Sequence, residues 1–345
     1  MKIILTLLIL CVIIVAHEFG HFIIARANGI EVKEFFVGFG PTIIKKKKGD
    51  TLYSLKLIPF GGACVFMDEE ELDHPETCSY LNANVYSRIA TILAGPLFNF
   101  ILAFLLSLFV IGACGYSTTK LVDVTEGSPA YEAGLRAGDE LVKINNSKVY
   151  FYGEVTFETM NNSGEPIDVV YRRDGKKDRC VVVPKYDEEY GRMMMGITFG
   201  DSVLKPSPLN TIKWSFLNVR YWIKLTIKSL GMLFTGHASV DDLSGPIGVT
   251  QAVSEVYDEA SEFGIMAIIY SLLDMAILIT ANLGVMNLLP FPALDGGKLI
   301  FLIYEAIAGK PVNRKVEGAV NFAGMMLLFM LMIFVMYNDI TKIIH

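Results

Sequence analysis

Apolar and polar positions divide the chain into long greasy runs and shorter mixed stretches. Four runs, roughly Ile3–Ala25, Ile89–Gly112, Gly264–Leu289 and Ala319–Tyr337, are apolar enough to cross a bilayer, which takes about 20 residues. The stretch Ile3–Ala16 after Lys2 has the form of a secretory h-region. Apolar character resumes after the His-Glu pair at 17 and 18, however, and no small-x-small cleavage site follows, so it reads as a retained first span. The third run carries one acid, Asp274, expected to hydrogen-bond a facing helix, and the fourth carries no charge.

Between the first two runs, Thr51–Ile58 alternates and has Gly and Pro at both ends, which predicts short strands joined by turns. The same region holds Gly38-Phe-Gly40-Pro41, the basic run Lys45–Lys48, and an acidic patch, Asp68–Asp73, expected to be a solvated loop. Residues 116–200 are soluble in composition. Strands are predicted at Leu121–Val124, Glu140–Ile144, Ile167–Tyr171 and Arg179–Val183, with a short capped helix over Ser128–Leu135. That is enough for one small domain. In Asn210–Thr235, Lys213, Arg220, Lys224 and Lys228 fall in a narrow arc of an otherwise apolar helix. The pattern suits a helix in the membrane interface better than a tilted fifth span with snorkelling lysines.

Composition narrows the class. Of 345 residues 52% are hydrophobic and only 19% charged, too apolar for a soluble protein of this size. A net charge of −6 without a basic stripe excludes nucleic acid as a partner. Cys11, Cys64, Cys78, Cys114 and Cys180 are scattered without CxxC spacing and read as buried thiols, not a disulfide framework or zinc ribbon. Lys298, Lys310, Arg314 and Lys315 crowd the 298–316 connection, against Lys342 alone after the last span. The positive-inside rule therefore puts 298–316 and 26–85 in the cytoplasm, and 116–200 with both termini outside.

Chemistry enters at His17-Glu18-Phe19-Gly20-His21. Histidines at i and i+4 share a helix face and can grip one metal, with Glu18 beside them to activate water. Ionisable groups at membrane depth are costly and mark function by default. Catalytic zinc takes three protein ligands and a water, so one ligand is missing. The third span ends at the same depth in Asn287-Leu-Leu-Pro290-Phe-Pro292-Ala-Leu-Asp295-Gly296-Gly297, where prolines break the helix and glycines let the backbone turn back. Asp295, at the tip of that break, is the candidate third ligand; a cap or turn role is its plainer alternative. Asn287 either satisfies carbonyls freed near the proline or donates to the substrate carbonyl and the oxyanion. Asp274 lies more than three turns earlier, too far outward for the metal.

With these motifs in view, the chain resembles the site-2 protease family, closest to its bacterial RseP-like regulated intramembrane zinc metalloproteases with a single PDZ domain. The resemblance rests on His17-Glu18-Phe-Gly-His21, on Asn287…Leu294-Asp295-Gly296, and on Gly38-Phe-Gly40 with Ile58-Pro-Phe-Gly-Gly62. It extends to Arg88…Ala94-Gly95-Pro96-Leu-Phe-Asn99, to Ser128-Pro-Ala…Ile144-Asn145 as a PDZ core, and to Gly245-Pro-Ile-Gly248. It implies a polytopic α-helical membrane protein with four transmembrane helices, a small membrane-associated β region and one α+β PDZ-like domain, in the bacterial plasma membrane.

The expected organisation is a first helix (1–25), a cytoplasmic loop with the β region (26–85), a second helix (86–114) and an extracytoplasmic PDZ-like domain (116–200). Interfacial helices (205–262), a third helix (263–297), a cytoplasmic loop (298–316) and a fourth helix (317–340) follow. The resemblance also implies one catalytic Zn²⁺ held by His17, His21 and Asp295, with Glu18 as general base. Substrates would be single-span membrane proteins already trimmed by an upstream site-1 protease that need not bind, such as an anti-sigma factor, or remnant signal peptides. A helical substrate must unwind before cleavage, and a strand edge within residues 38–62 is placed to capture it by β-addition. Gly38, Gly40 and Ser54, Leu55, Lys56, Leu57 and Ile58 are the candidates for that edge. Two competing classes are a non-catalytic PDZ-bearing scaffold, which gives Glu18 no role, and a metal transporter, which favours polar groups spread along several spans.

Overall fold

A computed structural model describes residues 2–67, 78–188, 190–200, 206–236 and 245–344. The first part of the chain forms α1 (Lys2–Ala27), β1 (Val32–Lys48), β2 (Thr51–Phe66) and α2 (Val85–Cys114). Next come β3 (Leu121–Val124), α3 (Pro129–Glu132), β4 (Glu140–Ile144), β5 (Ser147–Lys148), α4 (Tyr152–Met160), β6 (Ile167–Arg173), β7 (Lys176–Val182), β8 (Lys185–Asp187), β9 (Arg192–Met194) and β10 (Ile197–Phe199). The remainder is helical: α5 (Pro208–Phe234), α6 (Pro246–Ser261), α7 (Ile265–Asn287), α8 (Asp295–Ala308) and α9 (Arg314–Ile344). Two compact units result, Met1–Leu106 with Trp222–His345, and Ser107–Tyr221, their boundaries falling inside α2 and α5.

In the first unit, α1, α2, α7 and α9 are the described helices long and apolar enough to cross a membrane. α9 leaves Phe322, Met330 and Ile333 exposed, as a helix solvated by lipid would. α1 and α2 approach closely because Gly20 has no side chain: a Cβ there would lie 2.8 Å from the Ala94 carbonyl carbon and 2.9 Å from the Phe98 ring. α6 is anchored at its start by Asp339 of α9, a buried carboxylate that accepts from Gly245 N at 3.0 Å and Gly248 N at 2.9 Å. An anion at a helix N-terminus is favourable there, since the first N–H groups have no helical partner.

Three features of this unit depart from the sequence reading. The strands run through the glycines and the basic run instead of stopping at them, and β1 and β2 bend so that Glu34–Val37 pairs with Gly62–Val65 on one side and Leu52–Leu55 on the other. Gly38 (φ +86) and Gly61 (φ +83) make the bends, which alternation alone does not reveal. The 298–316 connection is largely α8, because Leu299 and Leu302 bury one face against Ile92, and Gly309 (φ +68) ends it. Asp274 does not hydrogen-bond a facing helix: its side chain is exposed and pairs with no described residue, since burial on α7 begins only at Ala276. The acidic patch Asp68–Asp73 lies outside the described residues. Cys11 is buried, the other four cysteines are half-buried, and all five are free thiols.

The second unit is built on a four-stranded sheet in the order β5-β4-β6-β7, with β3 paired to β10 and β8 to β9. Leu121, Leu135, Leu141, Ile144, Val155 and Ile167 form the heart of its core. Ser128 caps α3 through Tyr131 N. Of the basic stripe on α5, Arg220 faces the buried Glu154 carboxylate at 3.7 Å. Asp139 is buried and held by the Arg173 guanidinium through Nε at 2.7 Å and a second nitrogen at 2.8 Å. Replacing Arg173 with alanine leaves that carboxylate with only the Arg136 N–H. The cost should be about 2–4 kcal/mol, seen as faster amide hydrogen exchange in β4 and β6; unchanged exchange there would contradict the account.

Candidate metal centre

α1 carries His17 and His21 on one buried face, one turn apart, with imidazoles edge-to-face at 4.7 Å between centroids. Their Nε2 atoms lie 3.1 Å from each other. α7 ends at Asn287, and Leu288–Leu294 reverses the chain so that α8 begins at Asp295. Two glycines make this reversal possible, since a Cβ on Gly296 would strike the Leu288 and Leu289 carbonyls and one on Gly297 the Phe291 carbonyl. Ala293 sits at φ +75, which costs roughly 1–2 kcal/mol, and its N–H is held by Asn321 Oδ1 of α9 at 3.3 Å. Gly324 of α9 lets Pro292 pack directly on its backbone.

The reversal brings Asp295 Oδ2 to 3.1 Å from His17 Nε2 and 3.3 Å from His21 Nε2. That oxygen is buried and has no hydrogen-bond partner. Among the described residues, His17, His21 and Asp295 are the group whose ligand atoms converge, all within 4.8 Å of one another. Three lone-pair donors facing one point repel unless a cation or protons lie between them. Two imidazoles and a carboxylate are the donor set of a catalytic zinc with an open position, so these residues fit that ion. Lys298 Nζ stands 4.0 Å from the other oxygen of Asp295.

The imidazoles are oriented from behind by α2. His21 Nδ1 lies 2.8 Å from the Thr91 carbonyl, and His17 Nδ1 lies 3.2 Å from Asn99 Nδ2. Gly95, between them, is where α2 touches both rings: a Cβ would lie 2.5 Å from His21 Cε1 and 2.7 Å from His17 Cε1. Glu18 points elsewhere, and its Oε2 accepts Cys64 N–H at 2.9 Å. Burial, and then the nearby Glu18 carboxylate, push the Cys64 thiol up to about 12.

The other sequence candidates are distributed around this centre. Asn287 is half-buried in the last turn of α7, its side chain bonded to no described residue. Ser54 and Leu55 pair on both sides, with Phe36 and Val37 and with Lys45 and Ile44, so they are interior to the sheet and not its edge. Lys56 pairs with Thr42 and Ile58 with Phe39, and Gly38 and Gly40 shape the bend. The edge beside Glu18 is Gly62–Phe66. Sequence reasoning missed Thr91, Gly95 and Asn99 as parts of the centre. Asn99, an amide in an apolar span, was the available signal. A cavity of about 310 Å³ opens nearby, lined by Phe66 at the end of β2, by Lys298 and Arg314, and by the half-buried Arg88–Glu305 pair.

The chain matches the model of peptidase family M50 over residues 5–331. It is 30% identical over 418 residues to zinc metalloprotease RasP of Shouchella clausii, covering 97% of each chain. It is 28% identical over 409 residues to the regulator of sigma-W protease RasP of Bacillus subtilis, covering 95% of each. Among solved structures it aligns with the PDZ domain of an SdrC-like protein from Listeria monocytogenes at TM-score 0.23 and 21% identity, over 25% of this chain and 90% of that one. Filling the contact at Gly95 should displace both imidazoles. Gly95→Ala is expected to lose zinc from the purified protein, read by metal analysis against protein concentration; full zinc content would contradict the geometry.

Proposed function

The chain belongs to peptidase family M50, and from that premise we propose that His17, His21 and Asp295 hold its catalytic zinc while Glu18 serves as general base. The protein is an intramembrane zinc metalloprotease of the site-2 type. What carries the assignment is the convergence of three buried ligand residues, of which Asp295 offers an oxygen that has no hydrogen-bond partner. Zinc, when bound, supplies Lewis acidity and lowers the pKa of a water from near 16 to about 7. Glu18 takes the water's proton and hands it to the leaving amine nitrogen. Asn287 donates an amide N–H where charge develops on the substrate carbonyl.

The substrate is held as a strand along Gly62–Phe66. Cys64 N–H points away from β1, toward Glu18, so this edge has backbone groups to offer an extended peptide. β-addition there replaces the helical hydrogen bonds that a transmembrane segment loses on unwinding, and it lays the peptide beside the base. The far end of the strand, at Phe66, leads to the cavity lined by Lys298 and Arg314.

Substrates are single-span membrane proteins trimmed beforehand, an anti-sigma factor or remnant signal peptides. The name of the Bacillus subtilis relative, a regulator of sigma-W protease, supports the first. The basic 298–316 connection favours a cytoplasmic active-site end, with both termini and the PDZ-like domain outside, where that domain excludes untrimmed substrates.

Two experiments test these roles. Glu18→Gln should keep one zinc per chain and lose about 10²–10⁴ in cleavage rate; cleavage at the parent rate would overturn the base assignment. Cys64→Pro removes the edge N–H and should raise KM for a transmembrane substrate without lowering zinc content. An unchanged KM would remove this edge from substrate binding.

A further inference from the structure

Asn99 has a position that the roles above leave without an explanation. It stands on α2, fully buried, one turn beyond Gly95, with Nδ2 3.2 Å from His17 Nδ1. Its Oδ1 is buried and has no hydrogen-bond partner. An imidazole that offers Nε2 to a metal keeps its proton on Nδ1, so Nδ1 has to donate. An amide nitrogen also donates, and the two groups would meet donor against donor. Turning the amide by half a rotation exchanges oxygen for nitrogen without altering its shape. The carbonyl oxygen then accepts Nδ1–H, and the amide NH2 takes the position now held by the oxygen.

We propose that Asn99 is the positioning residue for His17: its side-chain carbonyl accepts His17 Nδ1–H and fixes the ring so that the Nε2 lone pair faces the metal. The proposal rests on reading His17 as a zinc ligand. The other imidazole is treated alike, since His21 Nδ1 meets an acceptor on the same helix, the Thr91 carbonyl at 2.8 Å. That acceptor is backbone, so Asn99 is the member of the pair that evolution or an experimenter can change. Its own place is fixed from a third helix. Thr280 Oγ1 of α7 donates to the Asn99 backbone carbonyl at 3.3 Å, and Gly284 makes room for Phe100, whose ring would lie 2.7 Å from a Cβ. α7 is the helix that leads to Asp295, so one α2 residue references His17 to the arm that carries the third ligand.

The test is zinc affinity of the purified full-length protein, measured by competition with a chelator, with the d–d spectrum of the Co²⁺-substituted protein as a second readout. Asn99→Leu fills the space without an acceptor and should weaken zinc binding about 10- to 100-fold with a changed cobalt spectrum. Asn99→Asp keeps an acceptor and should bind zinc at least as tightly as the parent. Parent-like affinity in Asn99→Leu, or equal loss in both variants, overturns the proposal; if the leucine variant does not fold, Asn99→Ala, which also lacks the acceptor, takes its place in the comparison. His17→Ala separates the two readings. Retained zinc there would sink the ligand assignment itself, whereas loss there with parent-like affinity in Asn99→Leu would sink only the role of Asn99.

Discussion

The architecture of the centre depends on how closely α1 and α2 approach. A zinc ligand set needs its donors within a few tenths of an ångström of the right places, and here the donors hang on α1 and on the first turn of α8, which are far apart in sequence. Gly20 on one helix and Gly95 on the other remove the side chains that would hold the backbones apart. With the gap closed, α2 can offer the Thr91 carbonyl and the Asn99 amide to the backs of the two imidazoles. In a bilayer the hydrophobic effect gives little reason for one apolar helix to prefer another, so close packing of small residues and buried hydrogen bonds must hold such a contact.

The same economy governs the break between α7 and α8. Seven residues lie between Asn287 and Asp295, and they reverse the chain at a depth where exposed backbone is expensive. Protein covers part of the reversal, while Leu288 and Pro290 stay exposed. Gly296 and Gly297 let α8 start against the preceding turn, and α9 packs on Pro292 at Gly324 and holds Ala293 through Asn321. Asp295 thereby stands at the first turn of a helix, where the unpaired N–H groups favour a negative side chain.

Much of this was legible in the sequence because it follows from short-range periodicity. His17 and His21 share a face by helix geometry, and Asp295 follows from span counting plus a Pro-Gly break. What was not legible depends on how distant segments meet. Gly95 and Thr91 carry no chemistry of their own, and only the crossing of α2 behind α1 makes them part of the centre. The edge of the β region was placed at Ser54–Ile58 because alternation marks a strand without telling which side is covered. The bends at Gly38 and Gly61 decide that, and they bury 54 and 55 in the middle of the sheet. Asp274 shows the converse: an ionisable residue within a span suggests a partner, and the described residues supply none.

The hydrogen bond from Cys64 to Glu18 ties the proposed substrate edge to the proposed base. Cys64 has a single N–H, and a peptide strand that pairs with it must take that donor away from the carboxylate. Under the proposed assignments, occupation of the edge would do two things at once: it would align the peptide and release the Glu18 carboxylate from its Cys64 partner. A ligand that stays helical, however long it lingers, offers no strand to the edge and would leave that hydrogen bond in place.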